Sequence, residues 1–357
     1  MTLKVGIVGC GNISNIYLKN SYRFPEFDII ACADLNIEKA QATAVEFNIK
    51  HLSVDELMAS PDIDIILNLT VPQAHKEVTL QAITNKKHIY SEKPLATTFS
   101  DGNKIIDAAR EQHVILGSAP DTFLGGSIQL AGELIEDGAI GKVIGATAFM
   151  MARGPESWHP NPAFFYQAGG GPMFDMGPYY LTALVSLLGP LNRITGSTQL
   201  SFPERKITSP DKYGEKITVQ VPTHVTGILD FEAGATATII TSFDVFASRT
   251  PFIEIYGEEG TISLPDPNHF NHSLLVKQFD EVDWKEMKPK GEVEENLRGI
   301  GLADMASAVE SGRMPRANGD MALHVLEAMH GIHESSTSGR HYQMKSKCKK
   351  PILLKYL

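Results

Sequence analysis

Gly9-Cys10-Gly11-Asn12-Ile13, Asp34 and Ser91-Glu92-Lys93-Pro94 are the residues of the first third whose types and spacing invite chemistry. Two glycines one residue apart permit a tight turn and bring backbone close to a pyrophosphate, and a helix behind them offers free N–H groups and its positive dipole end. The run is GxGxx followed by Ser14, where the full fingerprint has Gly or Ala; Ser14 is still small enough for close helix–strand packing. Asp34 lies about 25 positions after Gly9, near the roughly 20-residue spacing at which an acid meets an adenosine ribose. A carboxylate there accepts from ribose hydroxyls and repels a 2′-phosphate. Leu35, Asn36 and Ile37 supply no cation, so NAD is expected and NADP disfavoured. Asp34 is also placed to N-cap the next helix. Lys93 leaves an apolar run where a parallel sheet presents ligands to its strand ends, and Pro94 stiffens that corner. Alone, the tetrapeptide reads better as an ordinary loop lysine; its neighbours along the chain change that reading.

The second half carries another set. Gly169-Gly170-Gly171 implies backbone passing very close to something, and Pro178 places the start of an apolar helix near Asp175 or Met176. Asp175 and Tyr179 are then about one turn apart on one face. Taken singly, Asp175 reads as an N-cap and Tyr179 as a helix-flank aromatic. Between Arg153 and Pro162 the prolines and aromatics, with Trp158-His159 at the centre, forbid regular structure and make an ordered loop. Such a loop either contacts substrate or is pinned by its own aromatics. Thr70-Val71-Pro72-Gln73-Ala74-His75 is a strand exit expected to line the cofactor site, with His75 as the polar residue that opens a helix.

The elements that must position these residues follow from periodicity. Apolar runs over 3–8, 27–33, 63–69, 87–90 and 114–117 alternate with helical patterns over 15–21, 37–47, 75–84 and 98–110, which implies a doubly wound parallel sheet. Small residues and Pro after 117 mark a domain crossing near Asp121. The expected domains are 1–121 and 122–357. Helices are expected over 128–136, 300–311 and 320–335, and a strand over 141–150. Period-two runs over 223–231, 235–243, 252–257 and 260–264, with turns at 232–234 and 258–259, give an antiparallel sheet. The Lys-rich tail, 345–350, reads as a solvated end.

Composition narrows the class. With 357 residues, 43% hydrophobic and 21% charged, the chain suits two globular cores, and a net charge of -10 argues against nucleic acid or an anionic membrane as partner. Cys10, Cys32 and Cys348 have neither metal-ligand spacing nor an even count, so reduced thiols in a cytoplasmic protein, with no metal, are expected. No apolar run suggests a membrane span.

Gly9-Cys10-Gly11-Asn12-Ile13, Asp34, Glu92-Lys93-Pro94, Gly138-Ala139-Ile140-Gly141-Lys142 and Gly169-Gly170-Gly171 with Asp175, in that order, resemble the glucose-fructose oxidoreductase, inositol dehydrogenase and MocA family over nearly the whole chain. The resemblance implies an α/β protein: an N-terminal Rossmann domain, then a C-terminal α/β domain with a large open, mainly antiparallel sheet that helps build a homodimer or homotetramer. It implies reversible hydride transfer at a sugar or polyol carbon. Lys93 matches the family's catalytic lysine, Asp175 its substrate-binding acid and Pro94 its corner proline, often cis. Many members carry His four residues after the acid; Tyr179 stands there instead, and a phenol beside a lysine is a workable acid/base pair. The resulting catalytic set is Lys93, Tyr179 and Asp175. Gly9, Gly11, Asn12, Ile13, Asp34, Thr70, Pro72, His75, Glu92 and Lys93 are expected at the cofactor. Lys93, Asp121, His159, Asp175 and Tyr179 are expected at the substrate. Two competitors are a nucleotide-sensing regulator on the same fold, against which the retained Lys93, Asp175 and Tyr179 speak, and another oxidoreduction such as that of a dihydrodiol.

Overall fold

The apolar runs of the first third pair as a six-stranded parallel sheet in the computed structural model, which describes residues 2–289 and 296–354. Strands β1 (Leu3–Val8), β2 (Phe27–Ala33), β3 (Lys50–His51), β4 (Ile65–Asn68), β5 (His88–Ser91) and β6 (Leu116–Ser118) lie in the order β3-β2-β1-β4-β5-β6. Helices α1 (Asn12–Asn20), α2 (Ile37–Phe47), α3 (Val54–Ala59), α4 (Pro72–Thr84) and α5 (Phe99–Glu111) connect them. Val5, Ile7, Ile65, Ile66, Leu67, Ile89 and Tyr90 are wholly enclosed, as strands covered on both faces must be. Register then aligns the strand ends: Ala33 pairs with Val8, Val8 with Asn68, Asn68 with Ser91 and Ser91 with Ser118. The order reverses between β1 and β4, and ligands of open α/β sheets gather beyond the carboxyl ends at such a switch point.

The second half supplies α6 (Gly126–Glu136), β7 (Val143–Met151), α7 (Pro172–Asp175), α8 (Gly177–Leu188), β8 (Leu191–Gln199), β9 (Glu204–Lys206), β10 (Lys216–Thr218), β11 (His224–Phe231), β12 (Thr236–Ser242), β13 (Ile253–Gly257), β14 (Gly260–Leu264), β15 (Leu274–Gln278) and β16 (Lys285–Met287). It continues through α9 (Ile300–Ser311), α10 (Gly319–Ser338) and β17 (Tyr342–Gln343). Nine strands form one sheet, β16-β15-β14-β13-β7-β12-β11-β8-β17, in which β7 and β12 are parallel and the other neighbours antiparallel. β9 and β10 pair separately. One cross-strand row, Leu229, Ala237, Ala146, Ile255, Ile262 and Val276, is buried throughout. The adjacent row, Ile228, Thr238, Thr147, Glu254, Ser263 and Leu275, is mixed in polarity and partly exposed, as a sheet with one covered face requires. Both hairpins fall at the expected turns.

By packing, the chain divides into Met1–Leu124 with Glu294–Leu326, and Gly125–Val293 with Glu327–Leu357. A single cut near Asp121 would place the returning segment, Glu294–Leu326, in the second domain, whereas it packs with the first. Its anchors belong to the first: Asn20 Nδ2 donates to Asn296 O and Arg298 O, and Ser118 N–H to Ala317 O. The tail also departs from expectation. Buried Glu327 accepts from Tyr342 Oη at 2.9 Å, Lys345 N–H at 2.8 Å and Ser346 N–H at 2.7 Å, so the segment at 342–346 is docked, and Lys347 and Lys350 pair with Glu232 and Glu136. A single buried carboxylate far upstream leaves no mark in the tail's composition.

Candidate functional site

The first half of the site is built on the aligned strand ends. Gly9 leaves β1 with φ 103°, and a Cβ there would lie 2.7 Å from the Leu69 carbonyl, so only glycine fits between β1 and the exit of β4. Gly11 has no such neighbour: a Cβ would point into open space. Helix α1 starts immediately behind it, three residues earlier than its periodicity predicts, with Asn12 and Ile13 as its first residues and no side chain capping its N-terminus. An uncapped helix end beside open space at a glycine suits an anionic diphosphate. Asp34 accepts from Cys10 N–H and Asn36 N–H, both at 2.8 Å, one at each carboxylate oxygen. The carboxylate is thus tied to the turn, with a lone pair on each oxygen left for ribose hydroxyls. Asp34 does not cap α2. Asn36 does, accepting from Glu38 N–H and Lys39 N–H.

At the next two strand ends the polar groups hold one another. Buried Asn68 donates through Nδ2 to His75 O and Thr79 Oγ1 and accepts from Thr70 Oγ1 at 2.7 Å. Helix α4 begins at Pro72, so His75 sits within its first turn instead of opening it. The His75 ring is fully enclosed: Nδ1 lies 2.6 Å from Pro94 O and Nε2 3.0 Å from Thr70 O. Burial holds it below the ordinary histidine range, against the two carbonyls that favour its proton. A neutral ring donates to one carbonyl only, so His75 clamps the Thr70 and Pro94 loops and does not face a ligand. Glu92 accepts from Tyr17 Oη at 3.0 Å and from Lys93 N–H at 2.9 Å, and its own N–H donates to Asn68 O. Lys93 is half-buried, and its bond to Pro94 is cis.

Asp121, expected at the substrate, is a structural residue. It is 1% exposed, and Oδ2 accepts from Gly299 N–H at 3.0 Å and Gly301 N–H at 3.1 Å, at the N-terminus of α9. Burial pushes its carboxyl up to about 6, against the opposing pull of Arg298 and those two N–H groups. Its position at a domain crossing hid this role, because its partners lie on the returning segment.

The predicted helix across 175–188 is broken: Asp175 ends α7, and α8 begins at Gly177 with Met176 between them, so Asp175 is not the N-cap of α8. All residues of α8 are buried, including Tyr179, which is 8% exposed. The glycine run passes close to its own loop: Gly171 N–H donates to Phe165 O at 2.6 Å, and a Cβ on Gly170 would meet the same carbonyl. His159 is half-buried, edge-on to Phe164 and Phe165, and its Nδ1 accepts from Asn161 N–H at 3.0 Å.

That loop rests on a buried network no motif announces. Arg205 donates through Nη1 to Glu156 Oε1 at 2.9 Å and through Nη2 to Asp244 and to Phe243 O at 3.1 Å. Tyr166 Oη donates to Glu156, and burial followed by that carboxylate pushes the phenol up. Asn68 was discoverable as a polar residue ending an apolar strand. Tyr17 and Arg205, with partners distant in sequence, gave no signal.

Comparison with known proteins agrees with this geometry. Residues 3–119 match a model described as oxidoreductase family, NAD-binding Rossmann fold, and residues 128–263 match the GFO/IDH/MocA C-terminal domain. The chain is 24% identical over 345 residues to 1,5-anhydro-D-fructose reductase of Ensifer adhaerens, covering 94% of this chain and 96% of that one. Among solved structures, an NAD binding oxidoreductase from Klebsiella pneumoniae superposes with TM-score 0.85 at 22% identity, covering 97% of this chain and all of that one. A levoglucosan dehydrogenase in complex with NADH and L-sorbose superposes with TM-score 0.84 at 21% identity, with the same coverage.

Proposed function

The chain belongs to the Gfo/Idh/MocA oxidoreductase family, whose N-terminal domain is an NAD-binding Rossmann fold, and from that premise we propose that it moves a hydride between NAD and a secondary alcohol or ketone carbon of a sugar or polyol. The observation that carries this reading is the row of strand ends. The open Gly11 turn, Asp34 tied to it and the clamped Glu92-Lys93-Pro94 loop all leave the same edge of one sheet. Bound NAD would supply the hydride acceptor or donor. Gly9, Gly11 and the N-terminus of α1, with Asn12 and Ile13, would take its diphosphate, and Asp34 its adenosine ribose.

Oxidation of an alcohol removes a proton from oxygen as hydride leaves carbon, so one group must exchange that proton and one must stabilise the developing alkoxide. We assign exchange to Tyr179 and stabilisation to Lys93, with Asp175 and His159 orienting neighbouring hydroxyls. Sugar and polyol turnover is supported by the names of relatives: a 1,5-anhydro-D-fructose reductase, a levoglucosan dehydrogenase and a myo-inositol 2-dehydrogenase. The test is a turnover screen of polyols, aldoses, ketoses and anhydro-sugars with NAD and NADH. A nicotinamide absorbance change with at least one of them is expected. Tight NADH binding without turnover on any of them would favour a nucleotide-sensing regulator. For cofactor choice, NADH should bind the wild type more tightly than NADPH, and Asp34→Ser should lose roughly 1.5–3 kcal/mol of that preference. Equal wild-type affinities would remove Asp34 from the ribose.

A further inference from the structure

Helix α1, whose N-terminus would take the diphosphate, buries Ser14, Tyr17 and Asn20 at three-residue intervals, so these side chains share its inner face. Each makes a different tie. Ser14 Oγ donates to Gly11 O at 2.6 Å and closes the glycine turn onto the helix. Asn20 Nδ2 reaches the returning segment at Asn296 O and Arg298 O. Tyr17, 1% exposed, donates through Oη to Glu92 Oε1 at 3.0 Å, across 75 positions of sequence.

Glu92 passes that contact on. Its other oxygen, Oε2, accepts from the Lys93 backbone N–H at 2.9 Å, so one carboxylate joins a side chain of α1 to the peptide that carries Lys93. Tyr17, Glu92 and Lys93 all belong to the first packing unit. Burial, followed by the charges of Glu92 and Asp121, pushes the Tyr17 phenol well above its ordinary value, so it keeps its proton and stays a donor. A second buried phenol behaves otherwise. Tyr90, two residues before Glu92 on β5, is fully enclosed, and its Oη has no hydrogen-bond partner among the described residues. The chain thus buries one phenol that acts on the Lys93 loop and one beside it that does not.

We infer that Tyr17 is a positioning residue for hydride transfer: through Glu92 it fixes the Lys93 backbone relative to the helix end that takes the cofactor's diphosphate. The inference rests on the reading of Lys93 as a catalytic group. Without the hydroxyl, Glu92 Oε1 loses its donor beside an apolar ring, and the carboxylate turns toward another donor or water. Its two oxygens form one planar group, so Oε2 turns too and releases the Lys93 N–H. The Lys93 side chain then covers a wider range of positions, and a displacement of about 1 Å at a reacting group can cost on the order of 10²-fold in rate. Asp34 is held by Cys10 N–H and Asn36 N–H and not by the phenol, so the cofactor's own contacts are kept.

The experiment compares Tyr17→Phe, which keeps the ring and removes the donor, with Tyr90→Phe as its matched control. In the cofactor-free, full-length chain, hydrogen–deuterium exchange at the Lys93 amide should be roughly 10-fold or more faster in Tyr17→Phe, with α1 and β5 amides and the unfolding temperature near wild type. On a substrate from the turnover screen, kcat should fall roughly 10- to 100-fold with the NADH dissociation constant unchanged. Adding Tyr17→Phe to Lys93→Met should lower kcat no further, because the phenol acts through Lys93; an independent structural effect would multiply with it. Tyr90→Phe should leave both exchange and kcat at wild-type values. Unchanged Lys93 exchange, or a kcat loss that multiplies in the double mutant, would overturn the positioning role, and a variant whose only change is a lower unfolding temperature would make Tyr17 a structural residue. Near wild-type kcat in Lys93→Met would overturn the catalytic reading and this inference with it, whereas a large loss there with Tyr17→Phe unaffected would overturn this inference alone.

Discussion

At the ends of β1, β4 and β5 most polar side chains are held by partners close in sequence or on a neighbouring strand end, with Glu92, held by Tyr17 of α1, as the exception. Asp34 grips the Cys10 backbone, Asn68 grips Thr70 and His75, and His75 reaches Pro94. The loop around 153–170 in the second unit is held differently. Its Glu156 depends on Arg205, 49 positions away, which also serves Asp244. The first region distributes its order over many short bonds fixed by sheet register; the second concentrates it in one buried guanidinium between two buried carboxylates. Function and stability should therefore separate in the first region and coincide in the second.

The sharpest form of that contrast is Gly11→Val. The added side chain points into open space, so thermal unfolding should stay near wild type while calorimetry finds no NADH binding. A mutant that binds normally would show the turn to be misassigned, and one that fails to fold would erase the separation. Arg205→Met should do the reverse. Removing one member of a buried ion set leaves the others uncompensated, and urea unfolding should lose about 3–5 kcal/mol. A loss below about 1 kcal/mol would mean the network is not what holds the loop.

Asp121→Asn is the smallest effect and depends on pH. The folded carboxyl titrates at about 6, above the roughly 3.9 of an unfolded Asp. The native state therefore binds the extra proton between these values. Wild-type stability from this group is complete below about pH 4 and is lost as pH rises through about 6. The asparagine can still accept from Gly299 and Gly301 but does not ionise. Its stability relative to wild type should rise between about pH 4 and pH 7 by up to about 3 kcal/mol and then level off. Urea titrations that give a pH-independent difference would show that Asp121 is ionised as easily in the fold as out of it.

The same contrast explains what the sequence disclosed. Strand–helix alternation and both hairpins are local patterns, and they appeared in the expected order, with α1 and α4 each starting three residues before their expected first residues. Roles set by distant partners were hidden. Asp121 looked like a crossing residue because Gly299 and Gly301 return from far along the chain, and the 345–350 lysines looked solvated because Glu327 docks the tail from α10. Asp175 and Tyr179 read as one helix face, whereas the backbone breaks at Met176 to join two helices. No propensity signals such a break, since tertiary packing of the wholly buried α8 decides it.

The central claim is that Lys93 and Tyr179 serve hydride transfer to or from a hydroxylated substrate. Steady-state kinetics of Lys93→Met and Tyr179→Phe, on a substrate identified in the turnover screen, test it most directly. Each should lower kcat by roughly 10²–10⁴, with NADH affinity unchanged in Tyr179→Phe, and the double mutant should be little worse than either single. Near wild-type kcat in both single mutants would contradict the assignment.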